Sequence, residues 1–177
     1  MVNLTTLPRR VIVTGSSGSG KTTYCQQVIA AAKFAGWHIA GLLSPPRFAG
    51  GQKTGIFALD LASGATRLLA SCVPDEINGV RFGKWMFDAD VLAWGNDLLL
   101  NLPACDLLVV DEIGPMEFDL QQGWPASLNA ISDPLAEITL ATVRPAYLQQ
   151  LQAMWAKSTT LYVEAQISHF NKRPNSA

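Results

Sequence analysis

The chain has 177 residues, 49% of them apolar and 15% charged, a balance that excludes a disordered or collagen-like polymer and fits one domain. Thirteen basic against 14 acidic side chains leave a net charge of -1, without the basic surplus that a protein living on duplex nucleic acid carries to displace counterions. No nucleic-acid partner is therefore expected.

Met1 to Arg10 carries its charges at Arg9 and Arg10 and runs straight into a strand, unlike a cleavable signal. Residues 11–14 form a short β-branched run, the pattern of a buried parallel strand, and a glycine-rich loop follows at once. From Lys21 the spacing turns helical, with Tyr24, Val28 and Ala32 on one face and Gly36 placed to end the helix. Residues 37–43 read as a second strand, stopped by Ser44-Pro45-Pro46. The apolar stretch from Val28 to Leu43 is broken by Lys33 and His38, so no membrane span is expected. Residues 54–61 and 65–70 flank Ala62-Ser63-Gly64 as a hairpin, and 80–87 add one more strand. Asp88 can cap a helix carrying Val91, Leu92, Leu98 and Leu99, although Gly95 weakens its middle. Residues 107–110 are a third buried strand ending in Asp111-Glu112; 138–143 are a fourth, Pro145 opens a helix, and 160–163 are a fifth. The tail from His169 to Ala177 is polar.

Strand and helix alternate around a β-rich insert spanning about residues 45–87, which predicts one α/β domain over residues 1–177 with a mainly parallel sheet flanked by helices. In such a sheet the ligand crevice lies beyond the carboxyl ends of the strands. Cys25, Cys72 and Cys105 form no C-x-x-C pair, which argues for reduced thiols and a cytoplasmic location rather than a disulfide or zinc framework.

Gly15-Ser16-Ser17-Gly18-Ser19-Gly20-Lys21-Thr22 satisfies G-x-x-x-x-G-K-[ST] in full, between an apolar strand and a helical pattern. Its glycines let successive N–H groups curl around an anion, and the following helix presents the positive end of its dipole. Lys21 is then a point charge for the β- and γ-phosphates, and the Thr22 hydroxyl is a ligand for Mg²⁺. Asp111, at the end of a neighbouring strand, would hold the same ion. Glu112, alternating to the other side of that strand, would take a proton from an attacking water or hydroxyl. The expected ligands are Mg²⁺ and a nucleoside triphosphate such as ATP or GTP; no N-K-x-D-like guanine reader is visible.

Asp111-Glu112-Ile113-Gly114-Pro115-Met116-Glu117 resembles the D-E-I-G-x-M-E signature of a small P-loop family, the nucleoside triphosphatases first described in hyperthermophiles, with a cancer-related human member. The run from Gly15 through Thr23 fits the same family, which adds Thr23 to the nucleotide-binding residues, and so do Gly41, a Gly55-centred strand and a hairpin. The resemblance, covering most of the chain to about Arg144, implies a three-layer P-loop fold of RecA-like type and Mg²⁺-dependent hydrolysis of several nucleoside triphosphates. The family's Asn-Arg pair after the last strand has Asn171 and Arg173 as its nearest counterparts here, split by Lys172.

Arg144 directly follows the fourth strand and is the candidate for stabilising transition-state charge, with Arg47 as an alternative. Thr142, near the end of a strand expected between the phosphate-loop and acidic strands, could contact the attacking water or simply be satisfied locally, and Glu117 could orient the loop after the acidic strand or simply be solvated. Trp85, Trp94 and Trp155 read as core. Two other functions use the same residues. In a small-molecule or nucleoside kinase the glutamate would deprotonate an acceptor; in a nucleotide-dependent switch or assembly factor the β insert would be the effector surface.

Overall fold

Alternation along each buried strand decides the architecture. In the computed structural model, which describes residues 2–132, 136–155 and 157–164, β1 (Arg10–Thr14) sends Val11 and Val13 to one face of a sheet and Ile12 to the other. On the first face lies α1 (Lys21–Phe34), burying Cys25, Val28, Ile29 and Ala32; it ends at Phe34, and Gly36 follows in the left-handed region. On the other lie α2 (Ala89–Leu100), α4 (Ala126–Ser132) and α5 (Leu148–Met154), contributing Val91, Leu99, Ile131 and Leu151. The result is three layers, with apolar side chains filling both interfaces.

The parallel half of the sheet runs β10 (Thr159–Tyr162), β1, β9 (Ile138–Val143), β8 (Leu107–Ile113), β2 (Ile39–Leu43). The phosphate-loop strand and the acidic strand are thus separated by β9. The expected β insert is present, and it extends the same sheet rather than standing apart. Strand β4 (Gln52–Asp60) pairs antiparallel with β2, and then come β5 (Thr66–Ser71), β7 (Trp85–Phe87) and β6 (Val80–Phe82), with β3 (Pro46–Ala49) on β4. The single strand expected over 80–87 is a two-stranded hairpin, because Gly83 turns the chain at φ 58. Asn171 and Arg173 lie outside the described residues. No described helix is long and apolar enough to cross a membrane.

Asp88 caps α2 as expected, its carboxylate accepting from the amides of Asp90 and Val91 at 2.9 and 3.1 Å. Gly95 has a packing reason that helix propensity hides. A Cβ there would run into the indole of Trp124, which is only 5% exposed and covers the helix at that point. Gly95→Ala should therefore destabilise the protein by about 1–3 kcal/mol through overpacking, even though alanine is by about 1 kcal/mol the better helix former. Urea unfolding measures the difference. Trp155 is core, at 1% exposure, whereas Trp85 and Trp94 are only half-buried, beneath Lys53 and Lys84 and beneath Arg67 respectively.

Candidate active site

The loop between β1 and α1 needs glycine for steric reasons. Gly15, Gly18 and Gly20 have φ of 155, 77 and 103, and a Cβ at Gly15 would strike the carbonyl of Val163 beside β10. Gly20 precedes the first residue of α1, so the helix begins at Lys21 with its orphan amides facing the loop. Ser16, Ser17 and Gly18 are exposed, Ser19 is buried, and Thr23 is exposed on the first turn. Lys21 is itself buried, and its Nζ donates to the carbonyls of Gly15 and Ser16, both at 2.9 Å. The ammonium is therefore held across the mouth of the loop.

Thr22, on the opening turn of α1, donates to Asp111 Oδ2 at 2.9 Å, and the Ser44 amide at the end of β2 donates to the same oxygen at 3.2 Å. Thr142 on β9 donates to Asp111 Oδ1 at 2.6 Å. Asp111 is only 1% exposed, and burial, followed by the nearby Glu112 charge, pushes its carboxyl above the usual range. Hydrogen bonds from Thr142, Thr22 and Ser44 oppose that shift by favouring the anion. Ser44 is a member of the site that sequence reasoning passed over. Its signal was a polar residue at the end of a strand, beside the strand that carries the acids.

Glu112 reaches its place by a different route from plain strand alternation. The β8–β9 register pairs Val110 with Ala141 and Ile113 with Val143, so two residues of β8 oppose one of β9. Glu112 occupies this bulge at φ 70, a left-handed conformation that costs a non-glycine residue about 1–3 kcal/mol and persists only where its surroundings hold it. Its amide donates to Thr142 Oγ1 at 2.7 Å. Its carboxylate lies 3.8 Å from Arg144 Nη2, with Arg144 half exposed, so this pair is a loose solvent-side contact and not a stability element. Phe118 at the end of α3 (Pro115–Phe118) stacks on Tyr147 at 5.6 Å between ring centroids, and the Tyr147 hydroxyl bonds Asp119. That stack joins the loop after Glu112 to the turn after Arg144.

Of the two remaining candidates, Arg47 is occupied elsewhere and Glu117 takes the loop-orienting place. Arg47 is bidentate on Glu76, at 2.7 and 2.5 Å, and also meets Ser71 at 3.2 Å, against the bare backbone of Gly55. The guanidinium lowers the Glu76 carboxyl from 4.5 to about 2. Because the folded value lies below the ordinary one, the pair stabilises the fold above about pH 4.5, and this contribution is lost as pH falls toward 2. The gap in thermal midpoint between wild type and Glu76→Gln should accordingly shrink over that range. Glu117 is buried, its Oε2 accepting from the Gly114 amide and its Oε1 from the Trp124 amide, both at 2.9 Å. It braces the loop after β8, and desolvation raises its pKa.

Residues 10–164 match the sequence profile of the NTPase family. The chain belongs to that family. Among its relatives, the nucleoside-triphosphatase THEP1 of Caldivirga maquilingensis is 36% identical over 123 residues, 70% of this chain and 66% of that protein. The THEP1 of Methanosarcina acetivorans is 38% identical over 112 residues, 61% of each chain. The chain thus matches less than two thirds of these relatives' length. Two solved structures share the NTPase fold. The solution structure of a human cancer-related nucleoside triphosphatase superposes with a TM-score of 0.66 at 23% identity, covering 90% of both chains. The crystal structure of THEP1 from Aquifex aeolicus gives 0.65 at 17% identity, covering 87% of this chain and 89% of that one. The three layers and mixed sheet are therefore those of P-loop NTPases.

Proposed function

We propose that this protein is a Mg²⁺-dependent nucleoside triphosphatase that delivers water to the γ-phosphate. The observation that carries the reading is the 2.9 Å contact between Thr22 Oγ1 and Asp111 Oδ2, which joins the start of the phosphate-loop helix to the end of the acidic strand. A hydroxyl and a carboxylate are hard oxygen donors suited to Mg²⁺, which takes few protein ligands and fills its shell with phosphate oxygens and water. Thr22 and Asp111 would hold the ion, which when bound neutralises charge on the β- and γ-phosphates.

The residues of the chain divide the remaining work. Amides of Gly15 to Thr23 bind the phosphates, and Lys21 exchanges its two carbonyl partners for phosphate oxygens. Glu112, held at the rim of the site, accepts the proton of the attacking water. Arg144 is the arginine positioned to meet charge developing on the γ-phosphate; Arg47, committed to Glu76, is not. The names of the THEP1 relatives support triphosphate hydrolysis, and the free thiols of Cys25, Cys72 and Cys105 support a reducing, cytoplasmic setting.

Phosphate release from a panel of nucleoside triphosphates, with Mg²⁺ or chelator and with or without hydroxyl acceptors, tests the proposal. Steady release from water alone with Mg²⁺ is the expected result. Diphosphate formed only when an acceptor is present would replace it with a kinase, and turnover only with a protein partner would replace it with a switch.

A further inference from the structure

We propose that Thr142 is a positioning residue for hydrolysis: its hydroxyl, anchored on Asp111, fixes the backbone of Glu112 in the bulged conformation that turns the carboxylate toward Arg144. The inference rests on Glu112 being the base and goes beyond it by naming what holds that base in place.

The argument begins with the ladder. Val110 faces Ala141 and Ile113 faces Val143, so Thr142 is the one residue of β9 set against both Asp111 and Glu112. A bulge leaves backbone groups of the extra residue without ladder partners, and bulges between parallel strands are uncommon. Here the Thr142 side chain supplies the partner, since its Oγ1 accepts from the Glu112 amide at 2.7 Å. A threonine hydroxyl has a single proton. That proton goes to Asp111 Oδ1 at 2.6 Å, so the hydroxyl has one orientation and presents its lone pairs to the amide. One oxygen therefore ties both acids to β9.

Burial decides how Thr142 can act. Its residue is 0% exposed, and its donor is already spent on Asp111, so it works through Glu112 and not on the attacking water. Glu112 at φ 70 has no glycine to make that conformation easy, and α3 begins only at Pro115, leaving the hydrogen bond to Thr142 as the polar contact on its amide. Valine keeps the β-branched shape of threonine in the strand but removes both hydrogen bonds. Serine keeps the hydroxyl.

The test is a set of four variants: Thr142→Val, Thr142→Ser, Glu112→Gln, and the double Thr142→Val/Glu112→Gln. Single-turnover hydrolysis and equilibrium affinity for a non-hydrolysable triphosphate analogue with Mg²⁺ are measured for each. Thr142→Val should slow the chemical step by about 10–100-fold, the usual effect of removing a partner that orients a first-contact group. Analogue affinity should stay within about threefold, and Thr142→Ser should restore the rate to within the same margin. In the Glu112→Gln background the valine should add less than about threefold, because a residue acting through Glu112 has nothing left to position. Wild-type rate in Thr142→Val, no rescue by serine, or a full additional loss in the double variant would overturn the proposal. Near-normal hydrolysis by Glu112→Gln would instead remove the base, and the proposal with it. One measurement needs no variant. The Glu112 amide of the wild type should exchange slowly with solvent, and exchange at the rate of a free amide would also overturn the assignment.

Discussion

Replacing Lys21 with alanine is expected to abolish triphosphate turnover. The ammonium is the only cation within the run from Gly15 to Thr22, and it is held at 2.9 Å from two loop carbonyls, ready to be drawn onto the phosphates. Removing a preorganised stabiliser of transition-state charge costs about 10²–10³ in rate at a typical site. Lys21 should exceed that, because it meets charge on two phosphates and also contributes to binding. Binding should weaken without vanishing, since the loop amides and the helix dipole remain. The carbonyls of Gly15 and Ser16 lose their donor, but both residues are partly or fully exposed and water can replace it, so folding should hold. Phosphate release together with a triphosphate titration, on protein checked by circular dichroism, reads both effects. Hydrolysis close to wild type would dismiss the phosphate-loop assignment.

Glu112→Gln should separate binding from chemistry. The amide preserves the side-chain volume and leaves the backbone bond to Thr142 untouched, yet it cannot accept a proton from water. Contacts at Lys21, Thr22 and Asp111 survive, so affinity should hold or rise slightly. Loss of a general base lowers the rate by about 10²–10⁴, or roughly 3–5 kcal/mol of barrier at about 1.4 kcal/mol per decade. The expected variant is a folded protein that retains triphosphate and scarcely hydrolyses it. Single-turnover kinetics with saturating enzyme isolates the chemical step from product release. A rate within about threefold of wild type, small beside that loss, would exclude Glu112. Glu117 would be a poor substitute, because both of its oxygens are already engaged by the amides of Gly114 and Trp124.

Much of the site was legible because its parts are contiguous. Eight residues from Gly15 to Thr22 carry the loop, the cation and the hydroxyl proposed as a metal ligand, and the apolar run before Asp111 marks a buried strand end. Thr142 was read as a contact for the attacking water or, more ordinarily, as satisfied locally, and its hydroxyl serves Asp111 and the Glu112 amide. Glu117 could be read as orienting the loop after β8 or as solvated, because nothing in its own segment announces Trp124, seven residues on. Two arginines each followed a strand, and Arg144 was preferred for its place directly after the fourth. Only the structure shows Arg47 committed to Glu76, 29 residues beyond it.

By itself the sequence determined the five parallel strands, α1, α2 and the phosphate loop, but not β3, α3, α4 or the division of residues 80–87 into two strands. The former depend on properties that neighbouring residues carry together: β-branched runs of period two, apolar spacing of a helix, and glycines where the backbone must turn left-handed. Only the tertiary structure decided the continuation of the sheet through β4, the bulge at Glu112 and the glycine beneath Trp124. Each of these is a relation between segments far apart in the chain. A bulge is a mismatch of register between two strands, and neither strand shows it alone. The Asp111 carboxylate gathers donors from α1, the residue after β2, and β9 that lie 89, 67 and 31 residues away, so the chemistry of that one residue is set where the chain meets itself.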